Sequence, residues 1–269
     1  MIESGRFGVA RLEKIFRQAQ ESLIITNAHR INAGELPVLD VKDNDFFFMP
    51  RSEDASITAT VAQLCGVRLP RTYGAMATTG TQVIVPSRKG EAGTEHLNVV
   101  LQATLNPPSP EKREHRFREI TYREGDRVMQ TRNDYDVLWE REDGTAGAGI
   151  FNGDVGKILQ IDPSGELISI AFDDRVATYT ADMLAELDMA YAMTVHKAQG
   201  SEYRAVIFVS APAAPGLMVR GVLYTAITRA RELLILVGDD VSLGKMAAND
   251  RRTRRYSGLR WRLGNGGTA

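Results

Sequence analysis

Residues 190–211 read AYAMTVHKAQGSEYRAVIFVSA, and the reading of this stretch decides the fold. Ala190 to Met193 are apolar and strand-like. The pattern then breaks into a polar cluster, Thr194, His196, Lys197, Gln199, Gly200, Ser201 and Glu202, before a β-branched run from Ala205 to Ser210. Polar and glycine residues wedged between two core strands sit at a strand end, where a rigid sheet carries binding loops. Further on, LYTAITRARELLILVG (223–238) is a helical run with Arg229 and Arg231 that feeds another buried strand. Packing alone does not require two such blocks.

TVHKAQGSEY resembles motif V of superfamily-1 helicases, and LYTAITRAR resembles motif VI of the same enzymes. The wording is closest to the RecD-like branch, which moves along single-stranded DNA. IFRQAQESLIITNAHRIN (15–32) is similar to motif IV of that branch, with Arg17 and Gln18 at its centre. QVIVPSRKGEAGTEHLNVVLQATLNP and GDRVMQTRNDYD also match, so the resemblance covers most of residues 12 to 240. It implies an α/β chain of the P-loop NTPase fold: a RecA-like parallel sheet with helices on both faces, forming a second motor domain, with an inserted SH3-like β-barrel. No G-x-x-x-x-G-K-[ST] string occurs. GDVGKI (153–158) has the wrong spacing and lacks the hydroxyl that binds Mg²⁺. An acidic Walker B strand end is also missing. The family carries both in a preceding domain, so the chain resembles the C-terminal half of a helicase. ATP with Mg²⁺ is therefore expected in the parent protein, bound mainly by a first motor domain.

The resemblance also assigns roles. Arg229 would reach the γ-phosphate across the inter-domain cleft, and Arg17 would have a similar task. Arginine suits it, because its planar fork binds oxygens in pairs and stays charged. Such a finger is worth about 10³–10⁵ in rate. Glu202 would hold the nucleotide sugar and Gln199 would couple the nucleotide cleft to DNA, with Gln18 and Gly200 completing the nucleotide set. Thr194 and His196 would contact the DNA backbone with Lys197 nearby as a point charge, and Ser87 and Arg88 would lie beside the DNA.

Without the resemblance the residues stay open to plainer readings. Arg17 reads as a solvated surface arginine, His196 as a satisfied helix-end histidine, and residues 87–89 as a mobile turn. Tyr122, Tyr135 and Trp139 are either base-stacking aromatics or barrel core. A serine–histidine hydrolase is disfavoured, because no G-x-S-x-G turn is present.

An apolar share of 43% and a charged share of 25% over 269 residues are ordinary for a soluble globular chain. Cys65, the one cysteine, excludes an internal disulfide, and four scattered histidines give no metal spacing. The start MIESGRFG has no apolar signal core, and no run approaches a membrane span, so the chain reads as cytoplasmic, with no membrane partner. A net charge of −1 does not by itself support nucleic-acid binding. Charge is uneven, however. Residues 125–185 hold twelve acids against five bases, whereas 251–262 holds six arginines and no acid, interleaved with Tyr256 and Trp261. A DNA track is thus expected to be local.

Periodicity gives a helix after Ser22 stopped by Gly34, a strand at 46–49, a helix capped by Ser52 and ending at Gly66, and a loop over 68–80. A strand at TQVIVP and a helix capped by Thr94 follow, with Leu97, Val100, Leu101 and Leu105 on one face. The proline-rich stretch from Asn106 reads as a connector. DRVMQT, GKILQI, ELISIAF and RVATYT then mark short strands of a five-stranded barrel, with Gly144–Gly149 as its flexible loop. Three parts result: 1–124 and 186–269 as two pieces of the RecA-like domain, and 125–185 as an inserted barrel whose removal leaves the rest folded. Expected partners are single-stranded DNA, an N-terminal motor domain and nuclease or helicase subunits. The rival readings are the helicase part of a conjugative relaxase and a non-enzymatic DNA-binding or regulatory module.

Overall fold

The computed structural model describes residues 7–10, 21–74, 80–251 and 258–265. In chain order come α1 (Leu23–Ala33), β1 (Phe46–Pro50), α2 (Asp54–Gln63), α3 (Leu69–Tyr73), β2 (Thr81–Val85) and α4 (Thr94–Leu105). Nine strands follow: β3 (Glu114–Phe117), β4 (Ile120–Arg123), β5 (Arg127–Gln130), β6 (Asp134–Glu140), β7 (Ala146–Ile150), β8 (Val155–Ile161), β9 (Leu167–Phe172), β10 (Arg175–Thr180) and β11 (Leu187–Met189). The chain then runs through β12 (Ala192–Thr194), β13 (Tyr203–Ser210), α5 (Arg220–Ile227), β14 (Ala230–Gly238), α6 (Asp240–Ala248) and α7 (Leu259–Asn265).

β1, β14, β13, β2 and β12 form, in that order, one parallel sheet. Its strands read as continuous apolar runs because both faces are covered. Alternate residues go to opposite sides. Ile207, Val209, Ile235 and Val237 pack with Ile57, Val61, Leu97 and Leu101 of α2 and α4. Val206, Phe208, Leu234 and Leu236 pack with Ile24, Ile31, Leu223, Ile227 and Leu243 of α1, α5 and α6. Burying each such side chain contributes about 1.5–3 kcal/mol, which holds the three layers together.

Local signals set several boundaries. Ser22 caps α1 by accepting from Ile25 N, and Gly34 closes it in the left-handed region at φ 89°. Other expectations shift. The residue before α2 is Glu53 rather than Ser52, and the one before α4 is Gly93 rather than Thr94. Leu64–Arg68 makes a π-helical turn that carries the chain into α3, where a loop was expected. Leu105 is half-exposed instead of joining Leu97 and Leu101 in the core. The expected connector holds a hairpin, β3 paired with β4, turned through Arg118 at φ 57°.

The second sheet is antiparallel and has seven strands rather than five, in the order β11-β5-β8-β9-β10-β6-β7. Gly144–Gly149 is not simply a loop, because Ala146–Ile150 pairs with β6. Its glycines mislead a local reading. A Cβ on Gly147 would lie 2.4 Å from the Trp139 ring, so the indole on the next strand requires the glycine. The sheet also extends to Met189, beyond the expected limit at 185, because β11 pairs with β5. Its interior residues, among them Val128, Ile158, Phe172 and Tyr179, share one continuous core with the α2–α4 side of the parallel sheet. Among the described residues no helix is long and apolar enough to cross a membrane.

Where β14 ends, Gly238 lies opposite Ser210 of β13 at φ 150°, and a Cβ there would fall 2.0 Å from the Ser210 carbonyl oxygen. Gly238→Ala is therefore expected to cost about 1–3 kcal/mol, the range for forced overpacking. A urea midpoint equal to that of the wild type would refute this close approach.

Candidate functional site

β12 stops at Thr194 and β13 begins at Tyr203. Because the two strands are parallel, residues 195–202 must travel from the C-terminal edge of the sheet back to its N-terminal edge. Local bonds hold this crossing. Val195 N donates to Val85 O (3.1 Å), Ala198 N to Thr194 O (3.1 Å), and Ser201 N to Ala198 O (3.3 Å). Buried Val195 and Ala198 anchor it, while His196, Gln199, Gly200 and Glu202 are exposed. Gly200 adopts φ 96° with open space around it, so backbone conformation rather than crowding calls for glycine.

At the N-terminal edge, Arg229 sits between α5 and β14. Its Nε donates to Thr225 O (3.0 Å), one terminal nitrogen to Ser201 O (2.9 Å) and the other to Thr228 Oγ1 (3.2 Å). All three acceptors are neutral oxygens. Tyr203 N, at the start of β13, also donates to Arg229 O (2.8 Å), so the arginine is bonded both to the end of the crossing and to the strand that it enters. A guanidinium held this way keeps its charge uncompensated by these partners. An anion would supply the opposite charge that these neutral acceptors lack. Tyr203 is raised above the ordinary phenol range mainly by burial, which a hydrogen bond with Ser201 and then Arg127 and Arg229 partly oppose.

Two clefts flank the crossing. One, of about 490 Å³, is lined by His196 and Gln199 together with Arg220, Tyr224 and Thr225 of α5. The other, of about 420 Å³, takes in Thr194, Lys197 and Arg88 with the Asn98–Gln102 face of α4 and Asp188 of β11. β2 and β12 end side by side, Val85 opposite Thr194, which brings the 86–93 loop to this second cleft. Within that loop Ser87 Oγ bonds Lys89 O (3.1 Å), and Glu95 N bonds Arg88 O (3.0 Å).

Thr194, Lys197 and Arg88 are thus together, His196 and Gln199 line the neighbouring cleft, and Arg229 meets Ser201 on the opposite edge. Glu202 is exposed and pairs loosely with Arg231 at 3.9 Å. Arg17 and Gln18 lie outside the described residues. Tyr122 takes the core reading. It is 1% exposed and its hydroxyl donates to Leu187 O (2.9 Å), so it cannot stack on a base, whereas Tyr135 is exposed. Sequence reasoning missed Asp188, which bonds Lys197 Nζ at 2.5 Å, and Thr228, which faces Arg229. The only signal for Thr228 is its place beside the arginine. Among the described residues no group of three or more His, Cys, Asp or Glu is placed to hold a metal ion. Burial pushes the Cys65 thiol up to about 12, which leaves it unreactive.

Two family models match: the ATP-dependent RecD-like DNA helicase SH3 domain over residues 97–172, and the UvrD-like helicase C-terminal domain over residues 189–237. The ATP-dependent RecD2 DNA helicase of Deinococcus radiodurans is 34% identical over 254 residues, which is 94% of this chain and 32% of that protein. The RecBCD enzyme subunit RecD of Mycobacterium tuberculosis is 30% identical over 187 residues, 68% of this chain and 28% of that protein. Among solved structures, Pif1 helicase from Bacteroides in complex with ADP-AlF3 and ssDNA matches with a TM-score of 0.48 and 18% identity, covering 95% of this chain and 56% of that one. The chain spans about a third of the length of the curated relatives it matches. With an SH3-like domain match followed by a helicase C-terminal domain match, and RecD helicases aligned over most of its length, the chain belongs to the RecD-like DNA helicase family, as a C-terminal region of it.

Proposed function

We propose that this chain is the second motor domain of an ATP-dependent RecD-like DNA helicase. In this reading the stretches expected as 1–124 and 186–269 form the motor unit and 125–185 the inserted barrel, with β11 carrying the barrel's sheet on to Met189. The observation that carries it is the pair of bonds that tie Arg229 to Ser201 at the end of the 195–202 crossing and to Tyr203 where β13 begins, because one short segment then runs from the DNA-side edge of the sheet to the arginine. At the N-terminal edge, Arg229, with Arg17, would meet the γ-phosphate of ATP held by a P-loop domain. Gln18, Gln199, Gly200 and Glu202 would complete the nucleotide side. Bound with Mg²⁺, ATP supplies the free energy of phosphoryl transfer. At the C-terminal edge, Thr194, His196, Lys197, Ser87 and Arg88 would follow the backbone of single-stranded DNA. Closure of the cleft would pull on the crossing from one end and shift the DNA contacts at the other. The partners in this reading are single-stranded DNA, the P-loop domain and, in a larger assembly, nuclease or helicase subunits.

The sequence contains no G-x-x-x-x-G-K-[ST], so the amides and lysine that grip the phosphates would come from the other motor domain. This chain alone is expected neither to hydrolyse ATP nor to bind it tightly, with or without DNA. Titration with a fluorescent ATP analogue and a phosphate-release assay check this. Turnover at micromolar affinity would show a complete site within these residues and overturn the reading.

A further inference from the structure

The basic residues assigned to the DNA path are already paired with carboxylates. Lys197 Nζ lies 2.5 Å from Asp188 Oδ2, the two side chains being 28% and 38% exposed. Arg88 lies 3.6 Å from Glu95, a more open pair at 63% and 55%. All four residues line the same cleft of about 420 Å³. Arg229, at the opposite edge, is bonded to neutral oxygens instead. Asp188 also comes from a different layer, since β11 belongs to the antiparallel sheet while Lys197 belongs to the crossing after β12. The lysine is fixed at its root as well, because its backbone N–H donates to Thr194 O (3.0 Å).

We propose that Asp188 occupies the place of a DNA phosphate on Lys197 and so acts as a built-in competitor that weakens the grip of this domain on single-stranded DNA. A carboxylate and a phosphate oxygen are alternative acceptors for one ammonium group, and the ammonium cannot satisfy both as close partners. Each bound strand must displace Asp188 or forgo Lys197. A motor that has to release the strand on every cycle gains from such a bound state, and the antiparallel sheet senses the strand through β11. Glu95 does the same to Arg88 with a smaller effect, because that pair is exposed and loose. The inference rests on the proposed DNA path.

The test is a double-mutant cycle on the 269-residue chain: wild type, Asp188→Asn, Lys197→Gln and the double variant, each titrated into a fluorescein-labelled oligothymidylate and followed by anisotropy. Asp188→Asn is close to isosteric, and far-UV circular dichroism checks the fold of each protein. With Lys197 present, Asp188→Asn should tighten binding up to about fivefold, the upper range for one exposed ion pair. The slope of log K against log salt should steepen by about 0.7, the value for one more phosphate contact on a single strand. In the Lys197→Gln background Asp188→Asn should change nothing. Equal tightening in both backgrounds would reduce Asp188 to general repulsion and overturn the inference, as would no tightening in either. Failure of all four proteins to bind the oligonucleotide would instead remove the DNA path, and this inference with it.

Discussion

Arg229→Ala in the full-length helicase is expected to lower DNA-stimulated ATP turnover at least about a hundredfold, within the range for arginine fingers. ATP affinity should fall far less, because a group that reaches the phosphate only on closure acts in the transition state. Arg229→Lys should rescue little. The three acceptors around the native guanidinium are spread over Thr225, Ser201 and Thr228, a geometry that suits a planar fork and not a single ammonium. The competing account is mechanical: Arg229 ties the end of α5 to the 195–202 crossing and does nothing more. It predicts near-normal turnover and a loss of about 1.5–4.5 kcal/mol in stability, from three hydrogen bonds at the usual net value of about 0.5–1.5 kcal/mol each. Steady-state kinetics and thermal unfolding of the two variants separate the accounts. An alanine variant with most of its rate and a lowered melting temperature would remove Arg229 from the chemistry.

The parallel-sheet layer was legible in the sequence because its signals are local. Runs such as AVIFVS and LLILVG can be buried on both faces only in a covered parallel sheet, and β13 and β14 are those strands. Ser22 and Gly34 mark the ends of α1 by side-chain and backbone chemistry confined to one helical turn. The β6–β7 hairpin was not legible. Its second strand reads AGAGI, and the reason for Gly147 is the Trp139 ring on another strand, while Gly149 adopts φ 102°. The site divides in the same way. The motifs stand out as contiguous words, but what each cation touches does not. Asp188 reaches Lys197 from the last strand of the antiparallel sheet, and no pattern within residues 190–211 announces it.

Asn98, Gln102 and Asn106 recur every four residues along α4 and past its end, so they fall on one face of the helix. An uncharged amide stripe beside the buried Leu97 and Leu101 is hard to place against solvent or in an apolar core. In the structure it is the seam between the two sheets. Asn98 donates to Met189 O and Ala192 O and accepts from Ala192 N, while Gln102 donates to Thr121 O. Arg127 extends the seam to the parallel sheet through Thr81 O and Gln82 Oε1. These bonds qualify the expectation that residues 125–185 could be excised without harm, since excision would strip partners from Gln82, Gln102, Asn106 and Tyr191 together.

Asp126 is the centre of that seam, and Asp126→Ala is the stability change with the largest expected effect. The residue is fully buried, and its carboxylate accepts from Gln102 Nε2 (2.6 Å), Asn106 Nδ2 (2.7 Å), Tyr191 OH (2.8 Å) and Arg123 N (2.7 Å). Burial raises its carboxyl above the ordinary range, and the four donors pull it back. Alanine would leave four donors facing a methyl group. At the low end of about 1–3 kcal/mol for each unsatisfied buried group, the loss is about 4 kcal/mol. Asp126→Asn should cost about half as much. It keeps one acceptor, but its amide nitrogen then faces two donors: at the Oδ2 place Arg123 N–H is left unpaired, and turning Gln102 to meet the nitrogen forfeits the bond to Thr121 O. Asp136→Ala, on the exposed side of β6, is the control and should stay within about 0.5 kcal/mol. Denaturant unfolding of the three variants orders them. If Asp126→Ala unfolds at the midpoint of Asp136→Ala, the amide stripe of α4 is not what holds the two sheets together, and their shared apolar core must do so alone.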